Sequence, residues 1–453
     1  MNLPQEFKDK MTKLLGTTAS DFFASLESPP QKAITLNTCK ISKEDFEKVA
    51  DFEFSPIEKV DNGYYTEDFK IGKHILSHLG LIYSQEPSAM YPVEMLDIRP
   101  GDIVLDLCAS PGGKSIQILE KLNGTGLLVS NEIVYNRAKV LYENLNRMGF
   151  NNFAITCNSP KDFENLDIKF DKILVDAPCG GEGMFRKNDF EINNYNPDTI
   201  PTNAKRQMSI LNSISPLLKN GGTLVYSTCT YDTRENEEIV ANFLKENKDF
   251  QIEYRENFGD ITSPGIKIEG FDTDKTYRRY PHLHRGEGQY MAVLKKSGND
   301  NNDYSSNLKA KNYITLSRKE QKLLEDTFKD VADISNLDIY NKNDTFFAIP
   351  DTTIDFEDLN VLSIGTVIGN RDKTDFKIHH NFYHTFGDMF YNKIELDNID
   401  AYKYLHGETI NTDYKNGICV VTYLNTPIGG GKVTNGIIKN YYPKYSRTAL
   451  DPK

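Results

Sequence analysis

The sequence predicts an α/β protein in which a doubly wound, Rossmann-like parallel sheet lies between a small N-terminal α/β module and a strand-rich C-terminal region. Three observations predict this architecture. Short apolar strands alternate with helical stretches over residues 77–297, the pattern of parallel βαβ units. A smaller alternation precedes residue 77, and strands with glycine-rich turns predominate near the end of the chain. A chain of 453 residues is also long enough for about three domains.

Composition indicates a folded, acidic protein. Apolar residues make up 38% of the chain, which is enough for ordinary cores, and the formal net charge of −12 does not favour a nucleic-acid partner. The sequence has no signal-peptide pattern and no long apolar run, so we expect a cytoplasmic protein that does not enter a membrane. Its six cysteines form no Cys-x-x-Cys pair, which predicts free thiols and no metal site. We also expect a monomer.

The N-terminal module, residues 1–76, contains helical and extended patterns in a simple order. Apolar periodicity predicts helices over 4–15 and 19–26 and a strand over 32–37. Ser42 and Asp45 then have the spacing of a capping box, so we expect the next helix to begin there.

The central region, residues 77–297, contains the alternation that predicts the parallel sheet. The predicted strands are 103–107, 126–130, 152–157, 172–175 and 222–226, and the predicted helices are 115–122, 134–148 and 202–218. In such sheets ligands bind beyond the carboxyl ends of the strands. Those strand ends are therefore where functional residues are expected.

A polar stretch without periodicity predicts a linker over residues 298–312, and a further region follows over 313–453. This region begins with a predicted helix over 317–332. Strands with turns such as Pro427-Ile428-Gly429-Gly430-Gly431 predominate toward its end.

The strongest motif lies where the first central strand meets its helix. An acidic residue ends the strand, and a Pro-Gly-Gly turn opens the helix in Asp106-Leu107-Cys108-Ala109-Ser110-Pro111-Gly112-Gly113-Lys114. Backbone N–H groups at such a helix start can face a ligand. Glu132 follows the next strand, 20 residues after Gly112, where a carboxylate can accept hydrogen bonds from ribose hydroxyls. The combination predicts a site for a nucleoside cofactor.

Three other interpretations compete for this turn. A dinucleotide site requires Gly-x-Gly-x-x-Gly, of which only the double glycine is present. A P-loop nucleotidase requires a glycine where Cys108 stands, although Gly113-Lys114-Ser115 fits the end of that motif. The third is a purely structural strand-turn-helix.

Two further strands run into cysteines. The segments are Asp176-Ala177-Pro178-Cys179 and Tyr226-Ser227-Thr228-Cys229-Thr230. A thiolate that adds to carbon 6 of a pyrimidine makes carbon 5 nucleophilic enough to accept a methyl group. A nucleoside cofactor and thiols at one edge of a sheet therefore fit methyl transfer to a pyrimidine, and either thiol could reach carbon 6.

Together these segments resemble the signature motifs of the Sun family of RNA cytosine-5 methyltransferases. Further matching segments are Gln85-Glu86-Pro87-Ser88-Ala89, Asn131-Glu132, Arg137, Asn144, Arg147, Gln207 and Arg285-Gly286-Glu287-Gly288-Gln289. The segments Gly180-Gly181-Glu182-Gly183-Met184-Phe185-Arg186-Lys187 and Pro427 to Lys432 are similar to the bacterial 16S rRNA, RsmF-type branch. In that branch the tail resembles a PUA-type RNA-binding domain.

The resemblance implies a cofactor, S-adenosylmethionine, and a set of residues that hold it. That set is Cys108, Ala109, Ser110, Pro111, Gly112, Gly113, Lys114, Glu132, Arg137, Asn158 and Asp176. Many relatives have Asp where Asn158 stands, at the expected adenine contact. The family further implies that Asp176 hydrogen-bonds the target cytosine and Lys114 helps to place it. It implies that Cys229 is the nucleophile and that Cys179 assists proton removal and enzyme release.

The partner implied is rRNA or the small ribosomal subunit, and local charge supports an RNA partner. Residues 276–296 carry five basic side chains against one acidic, as do residues 432–453. Tyr441, Tyr442 and Tyr445 lie among the second set and are suited to base stacking. Thr35 stands where relatives commonly have Arg, so an N-terminal RNA contact is missing or replaced, for instance by Lys32. A tRNA substrate and a non-catalytic role in ribosome assembly are the remaining alternatives.

Overall fold

The computed structural model describes residues 1–67, 70–164, 166, 169–187, 189–299, 309–350, 355–373 and 375–447. Residues 300–308 of the predicted linker and residues 448–453 of the tail lie outside the described residues. Within the described chain the strands form four sheets. No helix in these ranges has both the length and the apolar composition needed to cross a membrane.

The N-terminal part is an antiparallel four-stranded sheet with helices beside it. Its elements are α1 (Gln5–Leu15), α2 (Ala19–Leu26), β1 (Lys32–Leu36), α3 (Lys43–Val49), β2 (Phe54–Pro56), β3 (Gly63–Thr66), α4 (Ile75–His78) and β4 (Ile82–Gln85). As the capping box predicts, α3 begins where the Asp45 N–H donates to Ser42 Oγ at 3.0 Å. The strand order is β2–β3–β1–β4, so the N-terminal sheet continues past residue 76.

The central sheet confirms the doubly wound prediction. Its elements are α5 (Tyr91–Glu94), β5 (Ile103–Asp106), α6 (Gly113–Leu122), β6 (Leu127–Asn131), α7 (Tyr135–Met148), β7 (Phe153–Thr156), β8 (Phe170–Asp176), α8 (Asp189–Asn193), α9 (Ile200–Ile214), β9 (Leu218–Thr228), α10 (Glu237–Glu246), β10 (Phe250–Ile252), β11 (Ser263–Pro264), β12 (Tyr277–Arg279) and β13 (Gln289–Lys296). Strands β9–β8–β5–β6–β7 are parallel, and β13 joins β9 antiparallel. Strands β6 and β7 are buried along their whole length, as helices on both faces require.

The C-terminal region contains two five-stranded sheets. Its elements are β14 (Ile314–Thr315), α11 (Arg318–Phe328), β15 (Asp338–Lys342), β16 (Thr345–Ile349), β17 (Val361–Ile364), β18 (Thr366–Asp372), β19 (Asp375–Ile378), α12 (His380–Phe386), β20 (Lys393–Glu395), α13 (Asn398–His406), β21 (Ile410–Asn411), β22 (Gly417–Tyr423), β23 (Thr426–Thr434) and β24 (Ile437–Asn440). Strand β17 leaves this region and pairs antiparallel with β7, which extends the central sheet. The sequence pattern did not predict this addition.

The first and last parts of the chain share one apolar core. Buried side chains of the N-terminal sheet pack with those of the final sheet; examples are Ile34, Leu36 and Phe46 with Leu405, Val421 and Ile438. Because this cluster is continuous, the tail covers apolar surface of the N-terminal module.

Candidate active site

A cavity of about 260 Å³ opens where β5, β8 and β9 end. Its walls consist of Tyr83, Ser84, Gln85, Glu86, Ala89, Cys108, Ala109, Ser110, Pro111, Gly113, Lys114, Asp176, Met184, Cys229, Gly288 and Gln289. The carboxyl ends of parallel strands are the usual ligand position in such sheets. The structure therefore brings most of the predicted site residues to one cavity.

The turn before α6 is shaped by its two glycines. Gly112 has φ +116°, a left-handed conformation that favours glycine. A Cβ on Gly113 would lie 3.2 Å from Gln85 Cδ and 3.3 Å from Tyr83 Cε1. The turn thus approaches β4 closely and leaves its backbone open to a ligand at the start of the helix.

Neighbouring side chains of α7 hold this turn in place. Arg137 Nη2 donates to the Ser110 carbonyl at 3.0 Å, and Ser110 Oγ donates to the Arg137 carbonyl at the same distance. Asn144 Nδ2 donates to the Pro111 carbonyl at 2.8 Å. The Ala109 N–H donates to the Asn131 carbonyl at 2.9 Å, which joins the turn to the end of β6.

Glu132, Arg137 and Asn158 form a second group, outside the cavity wall and beside the turn. Glu132 is buried; its Oε1 accepts from the Val134 N–H at 2.9 Å, and its Oε2 lies 3.3 Å from Arg137 Nη2. Asn158 Oδ1 accepts from the Asn360 N–H at 3.1 Å, so its amide is engaged with the C-terminal region.

The donor set fits S-adenosylmethionine. Glu132, after β6, has a carboxylate of the kind that accepts hydrogen bonds from ribose hydroxyls, and the glycine turn presents backbone N–H groups at the start of α6. Beneath the turn, Asp106 Oδ2 accepts from Ser115 Oγ at 2.7 Å, whereas Oδ1 is buried and has no hydrogen-bond partner among the described residues. Burial raises the pKa of Asp106 to about 7.

Lys114 and Asp176 form an ion pair in the cavity wall. Lys114 Nζ lies 2.7 Å from Asp176 Oδ2. Asp176 Oδ1 accepts from Ser227 Oγ at 2.7 Å and from Gln289 Nε2 at 3.3 Å. Burial alone would lower the pKa of Lys114, but the charge and the hydrogen bond of Asp176, together with other nearby negative charge, outweigh burial and raise it, so the lysine stays protonated. The carboxylate is thereby oriented by three donors.

The two predicted thiols meet at the inner end of the cavity. Cys229 lines the cavity, and Cys179 Sγ lies 3.4 Å from Cys229 Sγ. The hydrogen bond to Cys229, together with burial, raises the pKa of Cys179 well above its usual value. Cys179 is therefore a protonated thiol at neutral pH, in contact with Cys229.

The turn that carries Cys179 is fixed by polar side chains that the motifs alone did not assign. Gln207 Nε2 donates to the Pro178 carbonyl at 3.0 Å and to Glu235 Oε2 at 2.8 Å. Burial raises the pKa of Glu235 to about 7.

Sequence reasoning gave no role to Tyr83, Gln85, Met184 and Gln289, which line the cavity. Tyr83 and Gln85 are separated by one residue on β4, so period-two alternation could have placed them on the same face. The packing of β4 against the turn before α6 could not be read from the sequence.

The predicted basic surface over residues 276–296 is wrong for two of its five cations. Arg278 is buried, and its guanidinium forms two hydrogen bonds of 2.7 Å with Glu237. Arg279 is also buried and lies over the ring of Tyr91 at 4.1 Å. Counting charges in sequence cannot distinguish such internal cations from surface ones.

The stacking prediction for the tail is wrong for Tyr442, which is buried against His380 and Tyr404. Tyr441 is exposed, as base stacking requires, whereas the side chain of Tyr445 lies outside the described residues. Lys453 of the predicted basic tail also lies outside them.

At the position where relatives commonly have Arg, the hydroxyl of buried Thr35 donates to Gln85 Oε1 at 2.8 Å. Thr35 therefore supports the cavity wall, while Lys32 at the start of β1 is exposed.

Comparison with known proteins agrees with this geometry. Residues 93–295 match the model for 16S rRNA methyltransferase RsmB/F, residues 3–87 the N-terminal domain of 16S rRNA methyltransferase RsmF, and residues 391–448 the methyltransferase RsmF PUA domain. Ribosomal RNA small subunit methyltransferase F of Shewanella oneidensis is 32% identical over 443 residues, covering 94% of this chain and 92% of the relative. The protein of that name from Psychromonas ingrahamii is 32% identical over 477 residues, covering 98% and 96%.

Solved structures show the same fold. A methyltransferase homolog protein from Pyrococcus horikoshii is 31% identical, with a TM-score of 0.57 over 65% of this chain and 95% of the other. NSun6 from the same organism, solved with SFG, is 23% identical, with a TM-score of 0.58 over 65% and 99%. The chain therefore belongs to the RsmF branch of the RsmB/F family of 16S rRNA methyltransferases, and its cofactor is S-adenosylmethionine.

Proposed function

We propose that this enzyme methylates carbon 5 of a cytosine in 16S rRNA through a covalent bond between Cys229 and the base. The observation that carries the proposal is the meeting of Cys229, Lys114 and Asp176 in one cavity wall beside the cofactor turn. Names of full-length relatives support the rRNA substrate. We further assign RNA binding to the N-terminal module (residues 1–76) and to the region over 313–453.

The proposed reaction uses these side chains in a defined order. The Cys229 thiolate adds to carbon 6 of the cytosine, and the electron pair moves to carbon 5. The cofactor supplies the methyl group that carbon 5 accepts. A base then removes the proton from carbon 5, the double bond between carbons 5 and 6 re-forms, and the thiolate leaves. Asp176, held by Lys114 and Ser227, is placed to hydrogen-bond the base during these steps.

The division of roles between the thiols is supported by their positions. Cys229 lines the cavity, whereas Cys179 contacts the Cys229 sulfur and is not part of the cavity wall. A protonated Cys179 beside the reacting sulfur can give its proton to the Cys229 thiolate as that sulfur leaves carbon 6, and the Cys179 thiolate so formed can then accept a proton. Cys229 is accordingly the nucleophile, and Cys179 completes the elimination.

Single cysteine variants test the proposal. We expect Cys229→Ala to abolish methyl transfer to unmodified 16S rRNA and Cys179→Ala to accumulate RNA–protein adducts on a denaturing gel. Cys39→Ala is the matched control, because this thiol is exposed and outside the cavity. Adducts trapped only by Cys229→Ala would reverse the roles.

Bisulfite sequencing of rRNA from a deletion strain, complemented with wild type or Cys229→Ala, identifies the modified base. Loss of a 5-methylcytosine that only the wild type restores supports the proposal. A modified tRNA with unchanged rRNA would instead support the tRNA alternative, and no label transfer to any RNA would support the assembly role.

A further inference from the structure

A second cavity, of about 340 Å³, lies between α7, α12 and the tail. Its lining includes Arg147, Tyr442 and the imidazoles of His78, His379, His380 and His384. We propose that this cavity binds a phosphate group of the RNA substrate, an inference that rests on the proposed RNA methyltransferase function.

Two basic groups beside this cavity contact only neutral atoms. Arg147 Nη1 donates to the Ser77 carbonyl at 2.6 Å, and Nη2 donates to Asn144 Oδ1 at 3.1 Å. Lys40 Nζ lies 3.3 Å from the Leu79 carbonyl and 2.9 Å from His384 Nε2. Within the described part of the chain, neither cation forms an ion pair with a carboxylate.

Positive charges that are removed from water require a compensating anion. Burial and the charge of Arg147 lower the pKa of Lys40 to about 7, against the opposing charge of Asp388, so Arg147 is the constant cation here and an added anion would favour the charged form of Lys40. Glu143 also lines the cavity, but its side chain is exposed and forms no ion pair with Arg147 among the described residues. Two oxygens of one phosphate group can accept parallel hydrogen bonds from the planar guanidinium of an arginine.

Unpartnered imidazole nitrogens indicate a ligand that carries a hydroxyl group, such as a ribose, beside its phosphate. His384 Nε2 lies 2.6 Å from the Arg147 carbonyl and donates to it, so the Nδ1 atom of the neutral ring is an acceptor. His384 is 4% exposed, and its Nδ1 is buried without a hydrogen-bond partner. The Nδ1 atom of His380 is likewise buried and unpartnered. Buried polar atoms are rarely left unpaired in native proteins. Among the described residues, these histidines do not belong to a group of three or more side chains arranged to hold a metal ion.

The cavity is placed where RNA leaving the active site can reach it. Arg147 lies over the ring of Tyr83 at 5.6 Å, and Tyr83 lines the cofactor cavity. Asn144 lines the second cavity and donates to the Pro111 carbonyl of the cofactor turn. Tyr83 of the cofactor cavity therefore contacts Arg147 and Asn144 of the second cavity, and a nucleotide close to the target cytosine would bring its phosphate to Arg147.

The test compares charge changes inside and outside the cavity. Arg147→Gln removes the cation, and Ser446→Glu places a carboxylate in the lining. Lys322→Gln and Lys322→Glu are the controls, because Lys322 is exposed on α11. Filter binding gives the Kd for an unmodified 16S rRNA transcript at several salt concentrations, methyl transfer gives kcat and KM, and thermal unfolding checks folding.

We expect Arg147→Gln and Ser446→Glu each to raise the Kd and KM for RNA by about ten-fold, with affinity for S-adenosylmethionine unchanged in Ser446→Glu. The slope of log Kd against log salt should fall by about 0.7 to 0.9 in Arg147→Gln, the value for one lost phosphate contact. Inorganic phosphate should compete with RNA for the wild type. Wild-type RNA affinity in both variants overturns the inference, even if inorganic phosphate binds. RNA binding without cytosine methylation by the wild type would overturn only the proposed function.

Discussion

Replacing Glu237 by Gln should leave Arg278 charged and buried without its counter-ion. Both side chains are at most 2% exposed, and two hydrogen bonds of 2.7 Å join them. Arg278 Nη1 also donates at 2.9 Å to the carbonyl of Tyr231, two residues after Cys229. The pair therefore anchors the segment that carries the nucleophile.

The magnitude follows from the burial of the pair. Removing one partner of a buried ion pair leaves an uncompensated charge and typically costs about 3 to 5 kcal/mol. The double variant Arg278→Met/Glu237→Leu removes both charges and should recover most of this loss, because apolar side chains of similar size can replace a buried pair.

Urea unfolding followed by far-UV circular dichroism measures the change, since the chain has no Trp to report by fluorescence. Asp400→Asn is the control: it breaks an exposed pair with Lys403, of 2.8 Å, and should change the free energy of unfolding little. A Glu237→Gln variant as stable as the control, or a double variant less stable than Glu237→Gln, would refute the reasoning.

Three further predictions follow from single features. Burial raises the pKa of Asp106 to about 7, so protonation of this carboxyl stabilises the folded state; the contribution is present below about pH 4 and is lost as pH rises to 7. Asp106→Asn should therefore flatten the decrease in the free energy of unfolding between about pH 4 and 7, measured by urea unfolding. Gly112→Ala should weaken cofactor binding measured by calorimetry, because the new Cβ would lie 3.1 Å from Leu141 Cδ1 and a side chain at this positive φ costs about 1 to 2 kcal/mol. Gly124→Ala is the control, because Gly124 also has a positive φ but a Cβ there would meet no atom within 4 Å. Deleting 391–453 should expose the shared apolar core and make the N-terminal module susceptible to limited proteolysis.

The sequence predicted the parts of the site that depend on local order along the chain. Strand ends follow from apolar runs, and parallel strands place their carboxyl ends at one edge, so Asp176 and Cys229 were expected near the turn around Gly112. The structure places Asp176 and Cys229 in one cavity wall with Lys114. The resemblance to a family, rather than the spacing, distinguished the roles of the two thiols.

Contacts between distant segments were not predictable. Strand β17 pairs with β7 across about two hundred residues of chain, and nothing in its short apolar run specifies that partner. The burial of Arg278 depends on Glu237, which lies on another element. The histidines of α12 meet Arg147 of α7 only because the C-terminal region packs on the central domain.

These internal pairings change how the acidic composition bears on RNA binding. Total charge counts Arg278 and Arg279 as surface cations and nine buried carboxyl groups within the described ranges as surface anions, so it does not give the charge that faces solvent. Affinity for a polyanion then depends on contacts at defined positions more than on the net charge of the chain. Arg147 is such a position, because it lacks a carboxylate partner among the described residues and lies against Tyr83 of the cofactor cavity. An acidic enzyme of this design should discriminate among RNAs by fit, and its affinity for unrelated RNA should be low even at moderate salt.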